Sequence, residues 1–244
     1  MSLRLLINGA KGRMGQAIDT AADDRFEIVA RLDLGDDPQP AMDKAEVAID
    51  FSFHEATPAL LAAAAEAGVP VIIGTTGHTD EEREAIEKAA TRIPVVYSGN
   101  YSIGVNILFH LSRLTATILN EGYDVEVTEI HHRHKRDAPS GTAENLVDAL
   151  RAGLHHGEEA TVRHGRSGIT GERPDSEIGV HALRGGEVVG EHTVYFFGPD
   201  DRLEITHRAQ DRGIFAHGAL RAAQWVVKQS PGLYHMRDVL GLQG

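Results

Sequence analysis

The stretch Leu3-Arg-Leu-Leu-Ile7-Asn-Gly9-Ala-Lys11-Gly12-Arg13-Met14-Gly15-Gln16, continued to Ala22, decides the fold. An apolar run leads into closely spaced glycines and then into a helical pattern, the order of a dinucleotide-binding unit. The glycines let the backbone turn tightly and approach a pyrophosphate, while the N–H groups and dipole of the helix start supply positive potential. The spacing is G-x-x-G-x-x-G rather than the commoner G-x-G-x-x-G, so a plain glycine-rich turn competes with the binding reading. Asp33 favours binding: it ends the second apolar run about 20 residues on, where a carboxylate accepts hydrogen bonds from the adenosine ribose. An acid there repels a 2′-phosphate, although Lys11 and Arg13 soften the bias. NADH is expected to serve at least as well as NADPH.

Outward from this stretch, apolar runs at 3–7, 27–32, 47–51, 69–73 and 94–97 alternate with helical patterns at 56–67 and 80–91. That rhythm is a parallel sheet with crossover helices. Asp50-Phe51-Ser52, Gly74-Thr75-Thr76 and Asn100-Tyr101-Ser102 each follow a strand, at the carboxyl edge where open α/β sheets bind ligands. Gly9, Lys11, Gly12, Arg13, Met14, Asp33, Gly74 and Thr76 are expected around the dinucleotide, with Asn100 and Tyr101 at the nicotinamide amide. A turn-forming role competes at each of the three triplets.

After Ser102 the rhythm changes. A helix with Ile103, Ile107, Leu111, Leu114 and Ile118 on one stripe precedes a strand at 124–130 and a helix at 143–153 with Leu146, Val147 and Leu150 facing inward. Residues 161–208 read as strand-rich, with Arg184-Gly-Gly-Glu187 and Pro199-Asp-Asp201 as turns between antiparallel partners. The helix at 214–228 finds no partner in that sheet and should pack back on the first domain. The fold class is α/β. Residues 1–102 plus 213–244 form an N-terminal Rossmann-type parallel sheet, and residues 103–212 a second α+β domain on an open mixed or antiparallel sheet.

The 36 acidic against 24 basic side chains leave a formal charge of −12, which argues against nucleic acid and membrane surfaces as partners. The absence of cysteine removes disulfides, thiolate metal sites and cysteine nucleophiles together and suits a cytoplasmic enzyme. No apolar run reaches the roughly 18 residues of a membrane span, and no signal-peptide pattern opens the chain.

Against that acidity, His131, His132, Arg133, His134, Lys135 and Arg136 stand in succession at the end of a strand. Basic groups concentrated in so acidic a chain build a site for a small anion. On an extended strand His131 points opposite to His132 and His134, so three metal ligands do not converge without a turn, and no metal is expected. Downstream, Ser140 is a natural N-cap, and Gly141 and Thr142 open a helix whose first N–H groups suit a carboxylate. Histidine gives or takes a proton near neutral pH, and lysine serves as an acid or a charge anchor.

The block E-I-H-H-R-H-K-R-D-A-P-S-G-T-A from Glu129 resembles the 4-hydroxy-tetrahydrodipicolinate reductase (dihydrodipicolinate reductase) family of lysine and diaminopimelate biosynthesis. The likeness extends along the chain through G-A-K-G-R-M-G at Gly9, D-F-S at Asp50, G-T-T-G at Gly74, N-Y-S-I-G-V-N at Asn100, T-G-E-R at Thr170, G-E-H-T at Gly190 and R-L-E-I-T-H at Arg202. The resemblance implies hydride transfer from NAD(P)H to C4 of a cyclic dicarboxylate imine, with the hydroxyl lost as water. It implies His131 as proton donor and Lys135 as its charged catalytic partner. His132, Lys135, Ser140, Gly141 and Thr142 would cradle the substrate carboxylates. It further implies a Rossmann domain closed by the C-terminal segment, a hinge near Ser102 and Arg212, and a homotetramer joined through the open sheets.

Two departures stand out. Many members carry an arginine just after the acid of the second strand, where this chain has Leu34, which strengthens the NADH expectation. The segment 35–45 is short beside longer members. A noncatalytic dinucleotide-binding redox sensor is the competing reading, but such a protein needs no proton donor, and His131, Lys135 and Ser140–Thr142 are all in place.

Overall fold

The computed structural model describes residues 2–242. The chain divides into two compact units: the described residues through Ile103 together with those from Arg212 onward, and Gly104–Asp211.

The first unit is built on six parallel strands, β1 (Leu3–Asn8), β2 (Phe26–Leu32), β3 (Val47–Asp50), β4 (Val71–Ile73), β5 (Pro94–Tyr97) and, near the chain end, β11 (Gly232–Tyr234), in the order β11-β5-β4-β3-β1-β2. Both faces are covered, so alternate residues of one strand enter different cores. Leu5, Ile7, Ile49 and Ile72 pack on one side with α1 (Arg13–Ala21) and α7 (Gly213–Val226). Leu6, Ala48, Val71 and Ile73 pack on the other under α3 (Thr57–Ala67) and α4 (Asp80–Ala90). Pro58 sits in the first turn of α3, where its missing N–H costs nothing. Thr79 and Glu82 form a reciprocal capping box at α4. Gly218 lets α7 lie close: a Cβ there would fall 1.7 Å from the Tyr101 carbonyl oxygen. The sequence pattern missed β11, α8 (Met236–Leu240) and the one-turn α2 (Gln39–Met42), segments too short to carry a period.

The second unit holds α5 (Ile103–Ile118), β6 (Asp124–His131), α6 (Gly141–Gly153), β7 (Thr161–His164), β8 (Glu177–Arg184), β9 (Gly190–Phe197) and β10 (Arg202–Ala209). Its sheet has the order β10-β9-β6-β8-β7. β6 and β7 run parallel to β8, while β9 is antiparallel to both β6 and β10.

Two details differ from the sequence reading. Arg184–Glu187 is not a turn between paired strands, because β6 lies between β8 and β9. The connection instead passes over the end of β6, with Gly185 N–H bonded to the His131 carbonyl and Arg133 N–H to that of Gly186. The stripe on α5 is also the outer one: Ile107, Leu111, Leu114 and Ile118 are exposed, and Val105, Leu108, Ser112 and Ala116 are buried. Close helix packing selects the small residues. A Cβ on Gly153 of α6 would fall 2.4 Å from the Arg113 carbonyl oxygen and 2.8 Å from the Ala116 side chain.

Strand β6 alternates strictly. Val125, Val127, Glu129 and His131 are buried, with Ala143, Leu146, Val147 and Leu150 of α6 also buried. On the opposite face Glu126 meets Arg166, Arg173 and His181, and Gly179 leaves the space its carboxylate fills. No helix among the described residues is long and apolar enough to cross a membrane.

Candidate active site

A carboxylate occupies a core position of β6. Glu129 is fully buried, and burial alone works against its charge, yet the Arg184 and His131 hydrogen bonds outweigh this and hold it below the usual carboxylate range. Arg184, its neighbour on β8, forks onto both carboxylate oxygens at 2.7 Å each and also donates to the Asp137 carbonyl. The Ser140 backbone N–H donates to Oε1 at 3.2 Å, and His131 Nδ1 lies 2.5 Å from Oε2.

An ionised carboxylate only accepts, so Nδ1 carries the hydrogen and neutral His131 has its lone pair on Nε2. Among the described residues no hydrogen bond reaches Nε2. Gly190 on β9 leaves room beside it: a Cβ there would stand 3.1 Å away. Burial lowers the proton affinity of His131, Glu129 opposes this, and the charges of Lys135 and Arg184 add to the lowering.

Beyond His131 the chain turns, with the Lys135 N–H bonded to the His132 carbonyl. The extended geometry expected for His132 and His134 does not hold. Their rings stand 6.0 Å apart, and His134 leans toward Glu187 at the surface. No group of three histidine, aspartate or glutamate residues suited to a metal forms among the described residues. Lys135 Nζ meets the Asp137 carboxylate at 2.7 Å. Ser140 caps α6 by accepting the Ala143 N–H and contacts His192 Nε2 at 3.2 Å. A Cβ on Gly141 would meet nothing within 4 Å, so the helix start is open there. This unit thus groups His131, Lys135, Ser140 and Gly141 around one strand end and one helix start.

In the first unit the glycine turn has the expected tightness. Gly9 has φ +81° and its Cβ would fall 2.4 Å from the Phe51 carbonyl oxygen; Gly15 would fall 2.3 Å from that of Gly9. Gly12 is the N-cap residue of α1. Asp33 accepts the Lys11 and Leu34 N–H groups at 2.8 and 2.9 Å, and Leu34 and Lys11 together hold its carboxyl below the usual range. These residues border a cavity of about 460 Å³ lined by Gly9, Gly12, Asp33, Leu34, Phe51 and Ser52. Lys11 and Arg13 are exposed, Met14 half-buried. Asp50 is fully buried, and its carboxylate accepts from Asn8, Ser52 and Thr57.

Two family models match this chain, "Dihydrodipicolinate reductase, N-terminus" over residues 3–101 and "Dihydrodipicolinate reductase, C-terminus" over residues 104–240. The chain belongs to the dihydrodipicolinate reductase family. A 4-hydroxy-tetrahydrodipicolinate reductase of Akkermansia muciniphila is 50% identical over 242 residues, covering 98% of each chain. One from Thiobacillus denitrificans is 46% identical over 267 residues, covering 100% of each. Among solved structures, the dipicolinate-bound dihydrodipicolinate reductase of Paenisporosarcina sp. TG-14 shares the fold, with TM-score 0.80 at 21% identity over 96% of this chain and 98% of that one.

Within this reductase chain one expected side-chain contact fails. Tyr101 is 1% exposed, and its hydroxyl lies within reach of the Ile73 and Val96 carbonyls at 2.9 and 3.0 Å. Its ring anchors the segment after β5 in the core and cannot meet a nicotinamide. Asn100 is half-buried, its side-chain oxygen accepting the Ser102 N–H. Gly74 packs on the Phe51 ring, where a Cβ would fall 2.2 Å from ring carbons, and Thr76 is exposed beside it. The sequence reading assigned no role to Glu129, Arg184 or His192. The two-residue period on Val125 and Val127 already placed Glu129 on the buried face, a position where a charge requires partners.

Proposed function

We propose that this chain reduces 4-hydroxy-tetrahydrodipicolinate to tetrahydrodipicolinate with a reduced nicotinamide dinucleotide, His131 donating the accompanying proton. The observation that carries this reading is His131 itself: Nδ1–H fixed by a buried carboxylate, Nε2 unbonded, beside Lys135 and the capped start of α6. Once Nε2 has taken up a proton, such a group gives it to the substrate and returns to the neutral Nδ1–H form, while Lys135, His132, Ser140, Gly141 and Thr142 meet the two carboxylates of the substrate.

The first unit fits the cofactor, because Gly9, Gly12 and Gly15 keep clear a cradle that side chains would fill. Gly9, Lys11, Gly12, Arg13, Met14, Asp33, Gly74 and Thr76 would hold the dinucleotide, with Asn100 and the backbone at Tyr101 toward its nicotinamide end. When bound, the nicotinamide supplies the hydride for C4. The same reading includes NADH serving at least as well as NADPH, a cytoplasmic setting and a homotetramer joined by the second unit's open sheet.

The test is direct: purified protein, the freshly generated condensation product of pyruvate and aspartate semialdehyde, and NADH followed by absorbance at neutral pH. Substrate-dependent oxidation is expected. No oxidation with either NADH or NADPH would overturn the reading and favour a noncatalytic dinucleotide-binding protein.

A further inference from the structure

Glu129 stands where β6 otherwise presents valines to the core. A buried ion pair contributes little net stability compared with apolar residues of the same shape, so its presence here points to a use beyond folding. Its two oxygens meet three separate elements: His131 on β6 itself, Arg184 on β8, and the Ser140 N–H at the start of α6. The proton-bearing strand end and the anion-binding helix start are thereby joined through one side chain.

We propose that Glu129 is a positioning residue for the reaction, orienting the His131 ring with Nδ1–H inward and Nε2 outward and fixing it relative to Ser140, with Arg184 locking the carboxylate in place. The proposal rests on the reading of His131 as proton donor. The titratable and charged groups around the ring are Glu129 from β6, Arg184 from β8, Lys135 paired with Asp137 from the turn, and His192 from β9, backed by its register partner His207 on β10. Glu129 alone favours the charged imidazole; Arg184 and Lys135 oppose it. Removing the Glu129 charge therefore makes His131 harder to protonate, and removing the Arg184 charge makes it easier.

The two halves of one ion pair should consequently move the same titration in opposite directions, which loss of folding cannot mimic. The experiment uses histidine-labelled full-length protein and long-range ¹⁵N–¹H spectra, the His131 signals being assigned by their disappearance in His131→Asn. Wild-type protein should show the hydrogen on Nδ1. In Glu129→Gln both the His131 titration and the basic limb of the kcat/KM profile should move about one pH unit lower, with kcat down roughly tenfold and KM changed less. Arg184→Gln should move both higher, and Glu129→Asp should recover part of the activity. An unmoved His131 titration in Glu129→Gln, or a shift of the same sign in both variants, overturns the proposal. If Glu129→Gln does not fold, the upward shift in Arg184→Gln decides alone. The spectra need no substrate, so they stand apart from the proton-donor reading. Undiminished turnover in His131→Asn would sink that reading and leave the titrations as they are.

Discussion

His192 Nε2 on β9 lies 3.2 Å from the Ser140 hydroxyl that caps α6, and the His192 ring meets that of His131 edge-on with centroids 5.2 Å apart. Burial, reinforced by His131, pushes His192 from its ordinary 6.5 to about 4. The ring is therefore neutral at working pH and serves the cap as a hydrogen-bonding partner without adding charge beside it.

The depressed value also sets a dependence of stability on pH. The unfolded chain takes up the proton first, so stability is intact above about 6.5 and declines as pH falls toward about 4. His78, His131 and His207, lowered mainly by burial, contribute in the same direction. Urea unfolding across this window should show the decline, and His192→Gln should flatten it by up to about 3 kcal/mol. An unchanged slope in the variant would contradict the assignment.

His131 starts as a poor proton carrier, because burial lowers its affinity and Lys135 and Arg184 add to the effect while Glu129 only partly offsets it. A substrate with two carboxylates brings negative charge and raises that affinity. The basic limb of the kcat profile, which reports the complex, should thus lie at higher pH than that of kcat/KM, which reports the free enzyme. His131→Gln should lower kcat by roughly 10²–10⁴ with little change in cofactor affinity. Coincident limbs in the wild type, or an unaltered kcat in the variant, would remove His131 from proton transfer.

Much of this architecture was legible because it is periodic. The apolar run at Leu3–Ile7, the glycines at 9, 12 and 15, and the helix pattern carrying Leu146, Val147 and Leu150 each impose a local geometry. What escaped depends on partners distant in sequence. Nothing in Arg184-Gly-Gly-Glu187 says that β6 will insert between β8 and β9. Nothing near Ile107 says that Gly153 will draw the small-residue face of α5 inward. Tyr101 follows a strand end as a ligand residue would, and only the folded core shows its hydroxyl buried within reach of the Ile73 and Val96 carbonyls.

Lys135 is not a free cation, for its Nζ meets Asp137 at 2.7 Å, and Lys135 is the main cause holding the Asp137 carboxyl below its usual range. A dianionic substrate has to compete with Asp137 for that charge. Asp137→Asn should lower KM by up to roughly fivefold, the upper end for a partly exposed pair worth about 0.2–1 kcal/mol. Lys135→Ala should lose both turnover and substrate affinity. Steady-state kinetics on both variants separate competition from positioning: a higher KM in Asp137→Asn would mean that the aspartate holds the lysine in place.

On the proposed reading, cofactor choice turns on the rim of the cavity beside Asp33. Asp33 is kept ionised by the Leu34 and Lys11 N–H groups, and Asp36 accepts the Asp33 N–H at 2.8 Å, so two carboxylates border the place where a 2′-phosphate would lie. Leu34, 85% exposed, offers that phosphate no partner, whereas Lys11 and Arg13 are exposed on the glycine turn. The wild type should therefore use NADH at least as well as NADPH. Leu34→Arg supplies a fork that pairs with phosphate and should shift the kcat/KM ratio toward NADPH by roughly tenfold. Asp36→Asn should move it the same way by less, since one repelling charge is removed and none of opposite sign added. A wild-type ratio favouring NADPH more than about tenfold would mean that Lys11 and Arg13, rather than the two acids, govern the rim.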